Sequence, residues 1–236
     1  MSRALLEVQD LEKRYGGVRA VAGCSFALEP HSITGLIGPN GSGKTTLFKL
    51  ISGEVTPSQG KILFKGKRVN GVAPHICNRM GIGRTFQETR VFHELTVLEN
   101  VLAASRDTSF QRATKRALDL LDMVNLGAKG HLPASQLSYG QRKLLELVRL
   151  LMLDLDLLLL DEPFAGINRT LAVELAGFIR KLWQGGKTVV IIDHEMSIIM
   201  DLCRDLLVLD QGQILTAGDP VTVRNDPRVL AAYLGS

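Results

Sequence analysis

The chain has 236 residues, of which 45% are hydrophobic and only 5% aromatic, a composition typical of an aliphatic α/β protein with a sizeable core. Its net charge of +4 is dispersed, without a run of five basic residues, so we expect a solvated surface and no nucleic-acid partner. Three widely separated cysteines without CxxC spacing argue against a disulfide framework and a zinc site, and the lack of a signal-peptide core or a long apolar run predicts a cytosolic chain without a membrane span.

The first part of the chain has short patterns typical of β-strands, which we expect to form a small β layer around the loop that follows. Residues 5–10 and 21–28 are predicted strands on either side of a turn at Gly16-Gly17, and residues 61–64 form another strand after a turn at 57–60. Tyr15 lies at the first turn. An aromatic ring there either stacks on a base or is an ordinary turn or core tyrosine.

The most informative stretch covers residues 33–46 and reads ITGLIGPNGSGKTT, in which residues 38–45 fit G-x-x-x-x-G-K-[ST] without a mismatch. Its glycines let backbone N–H groups converge on a phosphate at a helix N-terminus. Lys44 would reach the outer phosphates, and the Thr45 hydroxyl would be a magnesium ligand. The alternative is a glycine-rich turn that binds nothing. The residues expected to bind here are Gly38, Pro39, Asn40, Gly41, Ser42, Gly43, Lys44, Thr45 and Thr46.

A mostly helical block is expected over residues 88–150, inserted between β-rich flanks. The pattern is weak from 70 to 83, and Gln87 then lies in a polar loop. Thr96 and Glu99 have capping-box spacing and predict the start of a helix. Apolar residues at i, i+4, i+8 and i+11 predict a helix over 109–125, ended by Gly127 and Gly130.

The sequence LSYGQ at 137–141 precedes an amphipathic helix predicted over 142–153. Ser138 and Gln141 have capping-box spacing, and helix capping alone would account for them. Capping does not require Gly140. A serine and a glycine at a helix mouth also form a second anion site, which is the other interpretation.

Residues 157–161 form a continuous apolar run that ends in acid, typical of a buried parallel strand. Asp161 and Glu162 would emerge where α/β sheets bind ligands, one holding magnesium through water and the next orienting an attacking water. The alternative is that the two acidic residues only make the edge of the sheet more soluble. A helix over 171–183, a buried strand over 188–193 ending at His194, a hairpin over 205–216 and a helix over 229–234 complete the predicted elements.

Together these motifs resemble the ATP-binding subunits of ABC transporters over nearly the whole chain. Residues 38–45 match Walker A, Gln87 the Q-loop, 137–141 the signature, 157–161 Walker B with Glu162 after it, and His194 the switch histidine. GRTFQ, TVLENVL, LSYGQ, EPFAGIN and DHEM resemble one branch, the ATPases of branched-chain amino-acid importers.

The resemblance implies an α/β P-loop NTPase (RecA-like) core with an N-terminal antiparallel β subdomain and an inserted α-helical subdomain. The chain would be one ABC ATPase domain over 1–236, with 1–87 and 151–236 forming the β subdomain and core and 88–150 the helical subdomain. It also implies a second ATP-binding subunit, identical or not, two permease subunits and an external solute-binding protein, with the chain on the cytoplasmic face of the inner membrane.

The resemblance further implies ATP and Mg²⁺ as ligands, with ATP on one P-loop capped by the signature of the facing subunit. The catalytic residues would be Glu162 as general base, His194, Gln87 and Lys44. Tyr15 would stack on adenine, Ser138, Gly140 and Gln141 would cap the partner's nucleotide, and Thr45, Gln87 and Asp161 would hold the metal.

Two positions and one segment depart from the family's pattern. Asn168 replaces an aspartate that most members have, Leu144 replaces an arginine after the signature, and residues 103–137 are shorter than expected for this branch. A urea or short-amide importer would share the same motifs. A soluble ABC protein acting on DNA or ribosomes predicts a tandem half, a coiled coil or a basic face, and a P-loop kinase predicts an arginine-rich lid; the sequence has none of these.

Overall fold

The computed structural model describes residues 4–86 and 89–234. Its strands are β1 (Leu6–Tyr15), β2 (Val18–Leu28), β3 (Ile33–Ile37), β4 (Gln59–Phe64), β5 (Lys67–Arg68), β6 (Ile82–Arg84), β7 (Leu157–Asp161), β8 (Thr188–Ile192), β9 (Asp205–Asp210) and β10 (Gln213–Gly218). Its helices are α1 (Lys44–Ile51), α2 (Pro74–Met80), α3 (Val97–Leu102), α4 (Phe110–Asp122), α5 (Tyr139–Leu151), α6 (Arg169–Gln184), α7 (Met196–Leu202), α8 (Pro220–Arg224) and α9 (Pro227–Leu234).

The strands form two sheets. The first is antiparallel, in the order β2-β1-β4-β5, and the second has the order β10-β9-β3-β8-β7-β6, parallel except for the closing β9–β10 hairpin. Strands β3, β7 and β8 are buried at every residue, which is why each is an almost continuous apolar run rather than an alternating one. Because these strands are parallel neighbours, the loops at their carboxyl ends meet at one edge of the sheet.

The helical block contains α3, α4 and α5, which pack on one another. The capping box predicted at Thr96 and Glu99 is present, with both reciprocal hydrogen bonds. The helix predicted over 109–125 is present, but it ends three residues earlier than expected, at Asp122. Asn125 takes a left-handed conformation (φ 58°), which ends the helical path before the glycines are reached.

The sequence patterns do not predict several short elements, namely α2, β5, β6, α7 and α8. Helix α2 buries only Cys77, so it has no periodic apolar face to detect. Strand β6 has only three residues, and it is a strand because it pairs with β7. In the described residues, no helix is both long and apolar enough to cross a membrane.

Asn100 is fully buried and ties the loop at 92–96 to α3. Its Oδ1 accepts the Phe92 N–H (2.8 Å), and its Nδ2 donates to the carbonyls of Phe92 (2.8 Å), Leu95 (3.2 Å) and Thr96 (3.0 Å). We expect Asn100→Leu to lower the free energy of unfolding by roughly 2–4 kcal/mol, because it removes four hydrogen bonds at a fully buried position and leaves the Phe92 N–H without its acceptor. Chemical denaturation measures this. Gln111→Leu on the exposed face of α4 is the control and should change stability by less than about 0.5 kcal/mol.

Candidate active site

The loop between β3 and α1 is shaped by glycines that no other residue could replace. Gly43, which caps α1, has φ 106°, and a Cβ there would lie 2.2 Å from the Ala20 carbonyl oxygen. At Gly38 a Cβ would lie 1.9 Å from the Leu209 carbonyl oxygen. The C-terminal hairpin also holds the loop, because the Gly212 N–H donates to the Ser42 carbonyl at 2.9 Å. The predicted phosphate-loop geometry is therefore present in the backbone.

The Lys44 side chain bends back and contacts the backbone of the loop that precedes it. Its Nζ donates to the carbonyls of Gly38 and Pro39, both at 2.8 Å, and lies 3.5 Å from the buried Ser42 hydroxyl. Burial lowers the pKa of Lys44, while the carboxylates of Glu162 and Asp161 raise it. A cation held at the mouth of a helix N-terminus is suited to neutralise an anion that binds there.

A cleft of about 220 Å³ opens beside this loop. It brings Glu162 and His194, which follow β7 and β8, to the loop residues. The His194 Nε2 lies 3.4 Å from a carboxylate oxygen of Glu162, an ion pair when the imidazole is protonated. The loop residues lining the cleft are Asn40, Gly41, Gly43, Lys44, Thr45 and Thr46.

Asp161 is buried and bonded to Arg84, which sequence reasoning missed. The guanidinium donates to Asp161 Oδ2 at 2.7 Å and to Glu54 Oε1 at 2.6 Å. Burial raises the pKa of Asp161, and Arg84 lowers it. The Asp161 N–H donates to the Thr85 hydroxyl at 3.0 Å. No local pattern predicts such a pairing, because 77 positions separate Arg84 and Asp161.

Ser138 caps α5 in the predicted box: its hydroxyl accepts the Gln141 N–H at 3.3 Å, and the Gln141 side chain accepts the Ser138 N–H at 3.1 Å. Gly140 has a packing role, since a Cβ there would lie 2.2 Å from Leu171 Cδ2. Among the described residues that line the cleft, none comes from 137–141. This turn therefore caps its own helix and does not complete the cleft of its own chain.

The other residues singled out in the sequence lie outside the lining of the cleft or outside the described residues. Tyr15 ends β1, is 47% exposed and has the Lys13 Nζ 5.0 Å from its ring centroid. Asn168 caps α6, accepting the Leu171 N–H at 2.9 Å. Leu144 is buried in the core, where an arginine would have to be paired. Gln87 lies outside the described residues.

Glu146 is a buried carboxyl on α5 that the sequence did not point to. It accepts the Phe86 N–H at 3.2 Å and lines a small cavity together with Lys143, Asp161 and Glu162. Burial raises the pKa of Glu146 from its ordinary value of 4.5 to about 7, against the Phe86 hydrogen bond and the charges of Arg149, Lys143 and Arg90.

This raised pKa predicts a pH-dependent stability. Between pH 4.5 and about 7 the folded protein keeps a proton that the unfolded chain releases, so the contribution of Glu146 to stability falls as pH rises through this window and is constant above it. We expect Glu146→Gln to gain stability relative to the native chain by up to about 3 kcal/mol between pH 5 and 8. Chemical denaturation of both proteins at pH 5 and at pH 8 measures this. The control is Glu174→Gln on the exposed side of α6, whose difference in unfolding free energy from the native chain should be the same at both pH values.

Two family models match the sequence. One, described as "ABC transporter", covers residues 21–165, and one described as "Branched-chain amino acid ATP-binding cassette transporter" covers residues 213–236.

Curated relatives match over the full length. The chain is 38% identical to the high-affinity branched-chain amino acid transport ATP-binding protein LivG of Escherichia coli, and 36% identical to BraF, of the same description, from Pseudomonas aeruginosa. Each match covers 100% of this chain and 99% of the relative, over 253 residues. The aligned stretch of 253 residues is longer than this chain, which has 236 residues.

A solved nucleotide-free ATP-binding cassette from an ABC transporter superposes with a TM-score of 0.90 at 30% identity, covering 99% of this chain and 100% of the other. The predicted fold class, an α/β P-loop NTPase, is confirmed by this match.

Proposed function

This chain belongs to the ABC transporter family as an ATP-binding, ATP-hydrolysing subunit, and from that premise we propose that it powers the uptake of branched-chain or other hydrophobic amino acids. The observation that carries the proposal is the match of residues 213–236 to a family model described for branched-chain amino-acid cassettes. The full-length identity to LivG and BraF, which are described as high-affinity branched-chain amino-acid transport proteins, supports it.

We propose that ATP binds in the cleft with Mg²⁺. In the described residues, no cluster of three or more His, Cys, Asp or Glu side chains forms a metal cage. The oxygen donors available are the Thr45 hydroxyl, which lines the cleft, and the Asp161 carboxylate. One or two hard oxygen ligands suit a magnesium ion that shares its coordination with phosphates, and Gln87 would add a third. Bound there, Mg²⁺ would neutralise charge on the phosphates.

The chain's own residues then divide the chemistry. Lys44 and the backbone N–H groups of the loop bind the outer phosphates, and Glu162 accepts a proton from the attacking water. His194, already in contact with Glu162, donates to the outer phosphate and orients the carboxylate. Tyr15, exposed at the end of β1, stacks on the adenine.

The site is completed by a second subunit. Because Ser138 and Gln141 lie exposed or half-exposed at the mouth of α5 and none of 137–141 lines the cleft of its own chain, we propose that this turn caps the nucleotide of a facing ATP-binding subunit. Residues 88–150 would form the helical subdomain, and 1–87 with 151–236 the β subdomain and core. Hydrolysis would release the interface and move two permeases served by an external solute-binding protein. The chain would therefore work on the cytoplasmic face of the inner membrane.

Deleting the gene and measuring the uptake of radiolabelled solutes tests the substrate. Loss of leucine, isoleucine and valine uptake, restored by the intact gene, would support the proposal. Loss of urea or short-amide uptake with normal amino-acid uptake would reject it in favour of that importer. Purification from membranes tests the assembly: we expect two integral membrane subunits to co-purify, and co-purification with ribosomes alone would contradict transport.

A further inference from the structure

Lys143 is a buried lysine of α5 that does not itself line the nucleotide cleft. Its Nζ donates to three backbone carbonyls in the segment after β7, those of Glu162 (2.6 Å), Ala165 (2.7 Å) and Pro163 (3.4 Å). An ammonium group has three donors and no acceptor, so these carbonyls use its whole hydrogen-bonding capacity. The side chain is therefore fixed between α5 and the segment 162–165.

The segment that Lys143 holds is under backbone strain. Glu162 takes a left-handed conformation (φ 49°), which is unfavourable for a residue with a side chain. Its N–H donates to the Ile192 carbonyl at 2.7 Å, and the Phe164 N–H donates to Asp193 Oδ2 at 2.8 Å. Hydrogen bonds to Ile192, the last residue of β8, and to Asp193 after it thus fix the N–H side of the segment, and Lys143 fixes its carbonyl side.

The charges around Lys143 agree with this role. Burial lowers the pKa of Lys143, while the carboxylates of Asp193, Glu162 and Glu146 raise it. Asp193 follows β8 and Glu146 lies on α5, so acidic side chains as well as carbonyl dipoles favour the charged ammonium. Removing the ammonium would leave the carbonyls of Pro163 and Ala165 without a donor, and the Glu162 carbonyl with only the Ala165 N–H at 3.3 Å.

We propose that Lys143 is a positioning residue that holds the backbone of Glu162 in its left-handed conformation and so aims the Glu162 carboxylate at the attacking water. This inference rests on the proposed role of Glu162 as general base. Lys143 stands five residues after Ser138 in the same helix. A shift of α5 when its mouth meets the partner's nucleotide therefore reaches the catalytic carboxylate of its own chain.

The first test compares Lys143→Met with Lys143→Arg in the purified full chain. We expect Lys143→Met to lower kcat for ATP hydrolysis by about 10- to 100-fold, with KM and ATP affinity within about 2-fold, and Lys143→Arg to recover most of the loss. Lys187→Met is the matched control, since Lys187 also donates to a backbone carbonyl, that of Leu155 (2.6 Å), before the start of β7; its kcat should not change. If Lys143→Met does not fold, Lys143→Gln takes its place.

If Lys143→Met has the kcat of the native chain, or if its loss of activity comes from a raised KM, the proposal is overturned.

The second test combines Lys143→Met with Glu162→Gln. If Lys143 acts through Glu162, the double variant should keep the residual turnover of Glu162→Gln alone, whereas a purely structural role would multiply the two losses. Normal turnover by Glu162→Gln would reject the base role itself, while a normal Lys143→Met beside an inactive Glu162→Gln would reject only the role of Lys143. Neither test depends on the transported solute.

Discussion

Glu162→Gln is expected to lower ATP turnover by about 10²- to 10⁴-fold while leaving nucleotide binding intact. Glutamine keeps the size of the side chain and its contact with His194, but it cannot accept a proton from water at neutral pH. Because the outer phosphate would then persist, two subunits should remain joined by bound ATP.

Phosphate release and size-exclusion chromatography with ATP measure the two parts of this prediction. Glu195→Gln is the control, because Glu195 is an exposed carboxylate near His194 that does not line the cleft. It should turn over normally and elute as the native chain does. Normal phosphate release by Glu162→Gln would remove Glu162 from the base role.

Ser138→Arg is expected to lower turnover by about 100-fold without changing ATP affinity in the isolated chain. Ser138 is exposed at the mouth of α5, away from the residues that line the cleft, so the substitution should leave the P-loop of its own chain undisturbed. A long cationic side chain would instead fill the place where the partner's nucleotide must sit. Losing the cap itself should cost only about 1 kcal/mol of stability.

Calorimetric ATP binding, turnover and melting temperature separate these effects. Ser135→Arg introduces the same side chain at an exposed position three residues earlier and should leave turnover unchanged. Loss of ATP binding by the isolated Ser138→Arg chain would show that the signature turn serves its own cleft, and the proposed exchange between subunits would be wrong.

The parts of this site that sequence could predict are those with local causes. The loop at 38–45 depends on the spacing of its glycines, and the two capping boxes depend on residues three apart. The buried strands were recognisable because strands covered on both faces are apolar throughout. Each of these signals lies within a dozen residues, and each predicted element is present.

The parts that could not be predicted depend on contacts between distant segments. Arg84 meets Asp161, Lys143 meets the carbonyl of Glu162, and Glu146 meets the N–H of Phe86 only after the sheet and α5 have packed. On the printed sequence each is an ordinary charged residue in a helix or loop. A glycine at position 140 is consistent with an anion site, but packing also requires it, because a Cβ there would lie 2.2 Å from Leu171 Cδ2.

The hold of the C-terminal hairpin on the phosphate loop has a consequence for biosynthesis. Gly212 donates to Ser42 and accepts from Ala22 at 2.7 Å, joining positions about 170 to 190 apart. Contacts of such long range form late in folding, because a large loop must close first. A nascent chain that has not yet reached β9 contains the whole phosphate loop but not the strand pair that braces it. The phosphate loop and β2 therefore gain these two hydrogen bonds only after the ribosome has synthesised the β9–β10 hairpin.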